Sequence, residues 1–568
     1  MSLIRMVLIA PLMLAAGLGA CGGSAADSPP TAPPPPARPV LSAIAIDAAS
    51  SSVPSNGTLQ LSARPVDENG NAISAPLAWS SSNTGVATVS AAGLVVAGMP
   101  GVAVVTVTAS SGAATAARSL AVNVMPPWGG TPPPLNLLVN DASKGSVPNI
   151  AQREPTIAVF GSRIVVGWND ETVALGETVR GFRHSVSYGF STDGGSTFRD
   201  AGEVGSSHWG ADATLAVDRA GNFYYGRMDL MPGSPAYDRI AVFKSTDGGA
   251  TFPQVVTASG ALPAQPEAND KPTITVDNTG SPFDGNVYVS WTLAKAGVLN
   301  VRFSRSTDAG SSYTTPVQLS TGGSDQSSIP AVGPDGELYV VWHDQTTGEI
   351  FIRKSMDGGV SFAPAVRIAT ARAIGELESE TAQYCGRVLK GSLRAGRGPS
   401  IAVDRSSGAS RGAVYVAFSA HGAGADAADV HLTSSRDGGA TWSVPSRLND
   451  DATSNDQWLP FVITTPNGSV AVSWYDRRLD PDNLFFDLFM RISGAGGTSF
   501  GPNMKITERS SPPAEINRRL GFPPYTCYQG SYNFMAADGS NVYLVWTDNR
   551  RVRSSTIDAN IFFAKVPH

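Results

Sequence analysis

The chain has 568 residues, with 41 lysines and arginines against 47 aspartates and glutamates, and 42% of its residues are hydrophobic. This length and composition are typical of a globular protein of roughly two to four domains. The small negative net charge and the lack of a dense basic cluster argue against nucleic acid as a partner.

The first residues have the pattern of a bacterial lipoprotein signal peptide. Arg5 precedes an apolar run from Met6 to Leu18, and Leu18-Gly19-Ala20-Cys21 has the form of a lipobox. Removal of residues 1–20 would leave Cys21 to carry lipid. No later stretch approaches the ~20 apolar residues that a transmembrane helix requires. We therefore expect a protein of the cell envelope, lipid-anchored at the outer membrane, the cell surface or the periplasm; the alternative is an ordinary secreted protein.

Residues 21–40 form a proline-rich spacer, since SPPTAPPPPARP from Ser28 cannot build a core and favours polyproline II. Short alternating apolar runs separated by Gly, Asn and Ser clusters then predict a small β-sandwich over residues 41–125. The segment Trp79-Ser80-Ser81-Ser82 to Val86-Ala87-Thr88-Val89, followed by Gly93-Leu94-Val95, resembles the bacterial immunoglobulin-like domain, group 2. That resemblance implies a spacer or adhesion module.

A second Pro/Gly linker covers residues 126–135, and the rest of the chain, 136–568, is repetitive. The pattern Ser-x-Asp-x-Gly-x-(Ser/Thr)-aromatic occurs five times, beginning at Ser191, Ser245, Ser306, Ser355 and Ser435, and a sixth copy from Ser493 has Ala495 in place of the aspartate. Pairs of apolar strands start near Pro155, Ala213, Pro272, Ile329, Pro399, Leu459 and Phe534. Repeated units that each contain several strands and a turn of this kind indicate the blades of a β-propeller.

We expect an all-β chain in which seven blades, or six, follow the immunoglobulin-like sandwich. The last unit has three strands and no Ser-x-Asp turn, so Leu137-Leu138-Val139 could supply its fourth strand. The repeated turns resemble the Asp-box repeats of the sialidase superfamily. This resemblance implies a propeller fold in which each aspartate accepts backbone N–H bonds between the third and fourth strands and the aromatic residue packs inward.

In a propeller, residues before the first strands and after the second strands meet on one face, opposite the Asp boxes. That face would collect Arg153, Asp170, the insert 374–397, residues 476–478 and residues 518–532. Arg153-Glu154-Pro155 resembles the sialidase Arg-(Ile/Leu)-Pro motif, with Glu154 at the apolar position. The resemblance implies that Arg153 binds a substrate carboxylate, because a guanidinium forks onto a carboxylate; the alternative is a rim ion pair.

Gly530-Ser531-Tyr532-Asn533-Phe534 resembles the sialidase segment that bears the tyrosine nucleophile, which implies that role for Tyr532. A glutamate must then take the phenol proton, and Glu376, Glu378 and Glu380 lie in the insert. The alternative for Tyr532 is packing around the central channel.

The position of Asp170 matches the acid/base aspartate of the sialidase family, which implies that role. However, Trp-x-Asp occurs in several units of the repeat, and this recurrence favours a structural role for the aspartate. The further substrate-binding arginines remain open between three pairs: Arg394 and Arg397, Arg477 and Arg478, Arg518 and Arg519.

Cys385 and Cys527 are predicted to form a disulfide, since export places them in an oxidising compartment; the alternative is two buried thiols. No metal or cofactor motif occurs, although the loop aspartates leave a structural calcium open. The sequence therefore predicts a sialidase-like retaining glycoside hydrolase that acts on terminal anionic sugars of glycans. The alternatives are a non-catalytic glycan-binding or adhesion lipoprotein and, third, a polysaccharide lyase.

Overall fold

The computed structural model describes residues 39–48, 52–54, 57–98, 101–125, 133–143, 152–170, 185–205, 210–229, 239–260, 267–377, 385–396, 398–422, 426–513, 527, 529–553 and 556–568. The predicted signal peptide, Cys21 and most of the proline-rich spacer lie outside these residues, as do Glu378, Glu380, Arg397, Arg518 and Arg519. The fold is all-β, as predicted. Within the described part of the chain, no helix has the length and apolarity needed to cross a membrane.

The N-terminal domain consists of two four-stranded sheets packed face to face. Its strands are β1 (Leu41–Ala48), β2 (Ser52–Pro54), β3 (Thr58–Asp67), β4 (Leu77–Ser81), β5 (Ala87–Val89), β6 (Leu94–Ala97), β7 (Gly101–Ser111) and β8 (Ala114–Met125). One sheet has the order β1-β3-β6-β5 and the other β2-β8-β7-β4. Alternate residues such as Leu61, Val95 and Val105 point between the sheets and are fully buried. The predicted small β-sandwich is therefore confirmed.

The rest of the described chain begins with β9 (Leu137–Leu138) and forms seven further four-stranded sheets. The first three comprise β10 (Gln152–Phe160), β11 (Arg163–Asp170), β12 (Ser185–Ser191) and β13 (Arg199–Glu203); β14 (Gly210–Val217), β15 (Phe223–Asp229), β16 (Arg239–Ser245) and β17 (Gln254–Thr257); and β18 (Glu267–Val276), β19 (Val287–Lys295), β20 (Val298–Ser306) and β21 (Val317–Gln318). The fourth comprises β22 (Asp325–Val332), β23 (Leu338–Asp344), β24 (Glu349–Ser355) and β25 (Val366–Thr370).

An insert with the small sheet β26 (Glu376–Leu377), β27 (Arg387–Leu389) and β28 (Leu393–Arg394) separates the fourth sheet from the fifth. The last three sheets comprise β29 (Ser400–Val403), β30 (Val414–Ala420), β31 (Asp429–Ser435) and β32 (Ser446–Arg447); β33 (Gln457–Thr464), β34 (Ser469–Asp476), β35 (Asp487–Ala495) and β36 (Met504–Lys505); and β37 (Phe534–Ala537), β38 (Asn541–Arg553) and β39 (Thr556–Pro567) with β9.

The first strands of consecutive sheets contact one another in chain order, and β37 of the seventh sheet contacts β10 of the first. Apolar side chains fill the space between adjacent sheets, with large residues such as Trp168, Trp291 and Trp546 fully buried on the second strands. The seventh sheet joins two distant parts of the sequence, because Leu137 and Leu138 pair with Phe563 and Phe562. The segment that contains Leu137 and Leu138 thus supplies the fourth strand of this sheet, as the sequence predicts.

The five Ser-x-Asp segments form tight turns between the third and fourth strands of their sheets. In the first, Asp193 accepts hydrogen bonds from the backbone N–H groups of Ser196 and Thr197 and from the hydroxyls of Ser191 and Thr197. The aspartates of the other four turns accept comparable bonds: Asp247, Asp308, Asp357 and Asp437. These aspartates thus hold turns together and lie apart from the candidate site described next.

Candidate functional site

Each of five first strands contains a β-bulge at which a residue other than glycine adopts a left-handed backbone conformation. These residues have φ angles between 50 and 58°: Glu154, Asp212, Lys271, Ser327 and Leu459. The register of strand pairing shifts at the same places. Left-handed φ is unfavourable for such residues, and bulges change the direction in which a side chain points. The bulges therefore turn these side chains away from the regular alternation of the strands.

Four of the five bulge residues, from four consecutive sheets, line one polar cavity of about 220 Å³. Glu154, Asp212, Lys271 and Ser327 form part of its wall, and the insert forms another part. The remaining lining residues are Met228, Asp270, Gln326, His343, Gln345, Cys385, Gly386, Arg387, Arg394, Ala395, Gly396 and Ser531. Three carboxyl groups and three strongly basic groups thus share one cavity, which suits a polar ligand with many hydrogen-bonding groups.

Asn169, at the end of the second strand of the first sheet, connects two of these carboxyl groups. Its side-chain amide donates to Glu154 Oε2 at 2.7 Å and to Asp212 Oδ1 at 3.3 Å, and its Oδ1 accepts the Asp212 backbone N–H at 2.7 Å. The backbone N–H of Ser531 donates to Glu154 Oε1 at 2.7 Å. Glu154 therefore joins the first sheet to the segment that leads into the seventh.

Burial and neighbouring charges shift the pKa values of Asp212, Asp270 and Lys271. Burial raises the pKa of Asp212 well above its usual range, and the charges of Glu154 and Asp270 raise it further. Burial also raises the pKa of Asp270, although Lys271 opposes this shift, and loss of water lowers the pKa of the Lys271 ammonium group. Titratable groups that are shifted together in a cavity are a feature of functional sites.

Tyr532 lies beside this cavity, in a smaller one of about 30 Å³ that shares Lys271, Ser327 and Ser531 with it. Its hydroxyl donates to the carbonyl oxygen of Ala213 at 3.4 Å, and Lys271 Nζ lies 5.2 Å from the centre of its ring. The ring also packs edge-on against Phe534, with 5.4 Å between centroids. Tyr532 is half-buried and is close to the polar residues that the cavity gathers.

The disulfide between Cys385 and Cys527 is confirmed and joins the insert to the segment before Tyr532. Both cysteines are buried, with 6.2 Å between their Cα atoms. Within the insert, the Arg387 side chain donates to the carbonyl oxygens of Ile374 and Gly375. These bonds and the disulfide hold the insert at the edge of the polar cavity.

Arg153 and Asp170, both predicted site residues, are buried next to the bulge of the first sheet and line neither of the two cavities. Arg153 precedes Glu154, and strand pairing places it opposite Asn169. The Asp170 carboxylate accepts hydrogen bonds from Gln152 Nε2 at 2.8 Å and from the Ser187 hydroxyl at 2.7 Å. These bonds tie together neighbouring strands of the first sheet, so the geometry gives Asp170 a structural part.

Arg477 and Arg478, predicted to bind substrate, are fully buried and engaged in ion pairs. Arg478 pairs with Asp476 and Asp450 at 2.7 Å each, while Arg477 lies 3.5 Å from Asp456. Neither side chain lines the cavities described above. Of the three aspartates, Asp476 ends β34, whereas Asp450 and Asp456 precede β33. The indole of Trp474 also donates to Asp476 at 2.7 Å, which gives this Trp-x-Asp copy a role in the sheet.

The other predicted residues of the insert include two that the structure describes and three that it does not. Arg394 lines the cavity, whereas Glu376 is exposed and lies 3.8 Å from Arg387. Glu378, Glu380 and Arg397 belong to the residues for which no structure is described. No three His, Cys, Asp or Glu residues of the described chain are grouped so as to hold a metal ion.

Sequence reasoning missed Glu154, Asp212, Asp270 and Lys271 as site residues. A signal for three of them was present, since the equivalent position of successive units reads Glu154-Pro-Thr-Ile, Asp212-Ala-Thr-Leu and Lys271-Pro-Thr-Ile. Superposing the repeats would have shown charged residues at one place before each first strand. The bulge that turns them into the cavity leaves no comparable trace in the alternation of apolar residues.

Comparison with known proteins identifies part of the chain. Residues 41–118 match the family model of the bacterial Ig-like domain (group 2), which confirms the resemblance seen in the sequence. No curated protein matches the chain.

Several solved structures share a distant similarity. A protein of unknown function from Dyadobacter fermentans DSM 18053 is 12% identical over 65% of this chain and 96% of its own, with a TM-score of 0.38. The Hadza microbial sialidase Hz136 is 14% identical over 68% of this chain and 73% of its own, with a TM-score of 0.37. The endosialidase of phage phi92 is 11% identical over 79% and 71%, with a TM-score of 0.41.

Proposed function

We propose that residues 136–568 form a seven-bladed β-propeller of the Asp-box type, carried on an exported lipoprotein. The seven four-stranded sheets and the contacts of their first strands in chain order, with the last touching the first, support this architecture. The lipobox supports attachment of lipid to Cys21, and the spacer and immunoglobulin-like domain would hold the propeller away from the membrane.

The function that the geometry supports best is hydrolysis of a terminal, anionic sugar of a glycan. The observation that carries this proposal is the polar cavity, in which Glu154, Asp212, Lys271 and Arg394 come from separate sheets and an insert held by a disulfide. Loops or inserts that are fixed at one face of a rigid scaffold commonly form binding sites. Once Asp212 holds a proton, the cavity has more basic than acidic charges, which favours a ligand carboxylate.

Tyr532 is the proposed nucleophile of a retaining mechanism. A tyrosine suits an anionic sugar, because a carboxylate nucleophile would repel the carboxylate of the substrate. Its phenol proton must pass to a base, for which the insert offers Glu378 and Glu380. Arg394 and Arg397 are the proposed ligands of the substrate carboxylate. Arg153 lines neither cavity, and Arg477 and Arg478 are held in ion pairs, so these three are left out of the site.

Release of 4-methylumbelliferone from its sialic acid conjugate tests this function, with a panel of neutral and acidic sugar conjugates beside it. The purified full-length protein is compared with Tyr532→Phe and with Tyr188→Phe, which removes a hydroxyl that donates to Ala250 between the first two sheets. We expect turnover by the wild type and by Tyr188→Phe and its loss in Tyr532→Phe. Turnover that survives in Tyr532→Phe contradicts the proposed nucleophile.

A non-catalytic glycan-binding function is favoured by one specific observation. Asp170, Arg477 and Arg478, which the sialidase resemblance offers for catalysis and substrate binding, are engaged in hydrogen bonds or ion pairs with neighbouring side chains. Binding to a glycan array without turnover of any conjugate would establish this second function. If the protein shows neither glycan binding nor turnover, both proposals are contradicted.

A further inference from the structure

Glu154 and Asp212 bring two carboxyl groups from neighbouring sheets to one side-chain amide. Glu154 is 1% exposed and Asp212 is 9% exposed, and Asn169 Nδ2 lies within hydrogen-bond distance of both. The bulge at each residue fixes this meeting, because a regular strand would turn the side chains elsewhere. A carboxyl pair is therefore built into the wall of the polar cavity.

Two carboxylates that are buried together disfavour double ionisation, which favours a proton held within the pair. Both oxygens of Glu154 already accept N–H groups, at 2.7 Å each, from Asn169 and from the backbone of Ser531. Asp212 accepts the weaker contacts, at 3.3 Å from Asn169 and 3.2 Å from the Lys271 backbone N–H. The proton accordingly belongs mainly to Asp212.

We infer that Asp212 is the general acid of this cavity and that Glu154 is a positioning residue that keeps the proton on it. The inference rests on the proposed glycosidase function and assigns the proton donor of that reaction. As the nucleophile bonds to the anomeric carbon, the electron pair of the glycosidic bond moves to the leaving oxygen, which takes the Asp212 proton. The leaving group departs as an alcohol. Water then bonds to the anomeric carbon while the bond to the nucleophile breaks and its electron pair returns to the nucleophile oxygen, and the Asp212 carboxylate takes a proton from that water.

Asp212 is better placed for this role than Asp170, the residue that the family resemblance suggests. Asp170 accepts hydrogen bonds from Gln152 and Ser187 within the first sheet and lines neither cavity, whereas Asp212 lines the polar one. The charged groups that act on Asp212 are Glu154 from β10 and Asp270 and Lys271 from β18. Two of these three are acidic, and their negative charge holds the proton on Asp212.

Infrared spectroscopy tests the shared proton without any need for turnover. The full-length protein near neutral pH is expected to show the C=O stretch of protonated carboxyl groups, and Asp212→Asn is expected to lose the part of this band that Asp212 contributes. In Glu154→Gln the negative neighbour is gone, so the band of Asp212 should titrate at lower pH. A wild-type spectrum without this band, or a band of unchanged intensity in Asp212→Asn, overturns the inference whatever the activity.

Kinetics test the catalytic role. Asp212→Asn should reduce kcat/KM by roughly 100-fold or more on a glycan with an unactivated leaving group, and much less on the methylumbelliferyl conjugate, whose leaving group needs little protonation. The matched control, Asp482→Asn, changes an exposed aspartate on the turn after β34 and should leave both rates unchanged. Equal loss on the two substrates overturns the role as general acid.

The pH profile separates Glu154 from a purely structural residue. A general acid works only while protonated, so kcat/KM falls as pH rises through the pKa of Asp212. Glu154→Gln lowers that pKa by removing a negative charge, and the alkaline limb should move to lower pH. If the alkaline limb of Glu154→Gln lies at the same pH as that of the wild type, Glu154 is not a positioning residue for the Asp212 proton. If the wild type turns over none of the substrates, the glycosidase proposal and the catalytic role of Asp212 fail together. The infrared band still tests whether Asp212 holds a proton.

Discussion

Glu154 is the middle residue of Arg153-Glu154-Pro155, a segment that resembles the sialidase motif Arg-(Ile/Leu)-Pro. In that motif the middle residue is apolar. In this chain the left-handed conformation at Glu154 points the side chain toward Asn169 and Asp212 instead of into the apolar core. Its carboxylate also receives the backbone N–H of Ser531, next to Tyr532. The glutamate at this position therefore introduces a carboxyl group that contacts both the second sheet and the segment bearing the proposed nucleophile.

The buried Arg478 provides a prediction on stability. Its guanidinium neutralises Asp476 and Asp450 and also donates to Asn503, all within the sixth sheet and its neighbouring loop. Arg478→Met keeps much of the volume but leaves the buried Asp476 without its cation. We expect the free energy of unfolding to fall by about 3–5 kcal/mol, measured by urea denaturation followed by tryptophan fluorescence.

An exposed ion pair supplies the control for this measurement. Arg367 lies 2.9 Å from Glu349, but 61% of its side chain is exposed to solvent. Arg367→Met should cost less than about 1 kcal/mol, because water and salt screen such pairs. Equal losses in the two variants would show that the buried network of Arg478 adds nothing beyond a surface pair.

The Ser-x-Asp turns provide a prediction at the level of a single element. Hydrogen bonds from Ser312 and Ser306 lower the pKa of Asp308 to about 2. A carboxyl whose pKa is depressed on folding contributes stability above its unfolded pKa and loses that contribution as pH falls through the folded pKa. Asp308→Asn should therefore be less stable than the wild type at neutral pH, and the difference should narrow between about pH 4 and pH 2.

Denaturant unfolding at a series of pH values measures this effect. Asp482→Asn serves as the matched control, since Asp482 is exposed and has no part in a Ser-x-Asp turn. Its difference from the wild type should stay constant over the same range. A difference that is independent of pH in Asp308→Asn as well would mean that the ionised carboxylate does not stabilise the turn.

Strands and turns could be predicted from the sequence because each leaves a local pattern. Alternating apolar residues identified the strands of both domains, and the Ser-x-Asp segments identified the turns between third and fourth strands. The site was less predictable, since Glu154, Asp212 and Lys271 reach the cavity through bulges that shift register by one residue. Arg478 was misplaced for a related reason: one of its partners, Asp450, lies 28 residues away in the sequence.

For the molecule as a whole, the disulfide makes the last prediction. Cys385 and Cys527 are separated by 142 residues, so the bond restricts the unfolded chain over a long loop. The double variant Cys385→Ser, Cys527→Ser should lower the free energy of unfolding by about 2–5 kcal/mol. Limited proteolysis should also cut the insert, residues 374–396, earlier than in the wild type.

Reduction of the wild type supplies an internal comparison. Dithiothreitol should lower its unfolding midpoint toward that of the double variant and leave the double variant unchanged. If the variant unfolds at the same denaturant concentration as the oxidised wild type, the bond does not stabilise the folded chain.

The seventh sheet has a consequence for how the protein is made. Asn140 hydrogen-bonds to Asn560, a residue 420 positions later, and Leu137 and Leu138 have their strand partners in β39. A ribosome must therefore synthesise nearly all of residues 137–567 before this sheet can be completed, and until then β10 of the first sheet lacks its contact with β37. Completion of this sheet late in synthesis would suit the export that we propose, in which a polypeptide passes through a translocation channel before it folds.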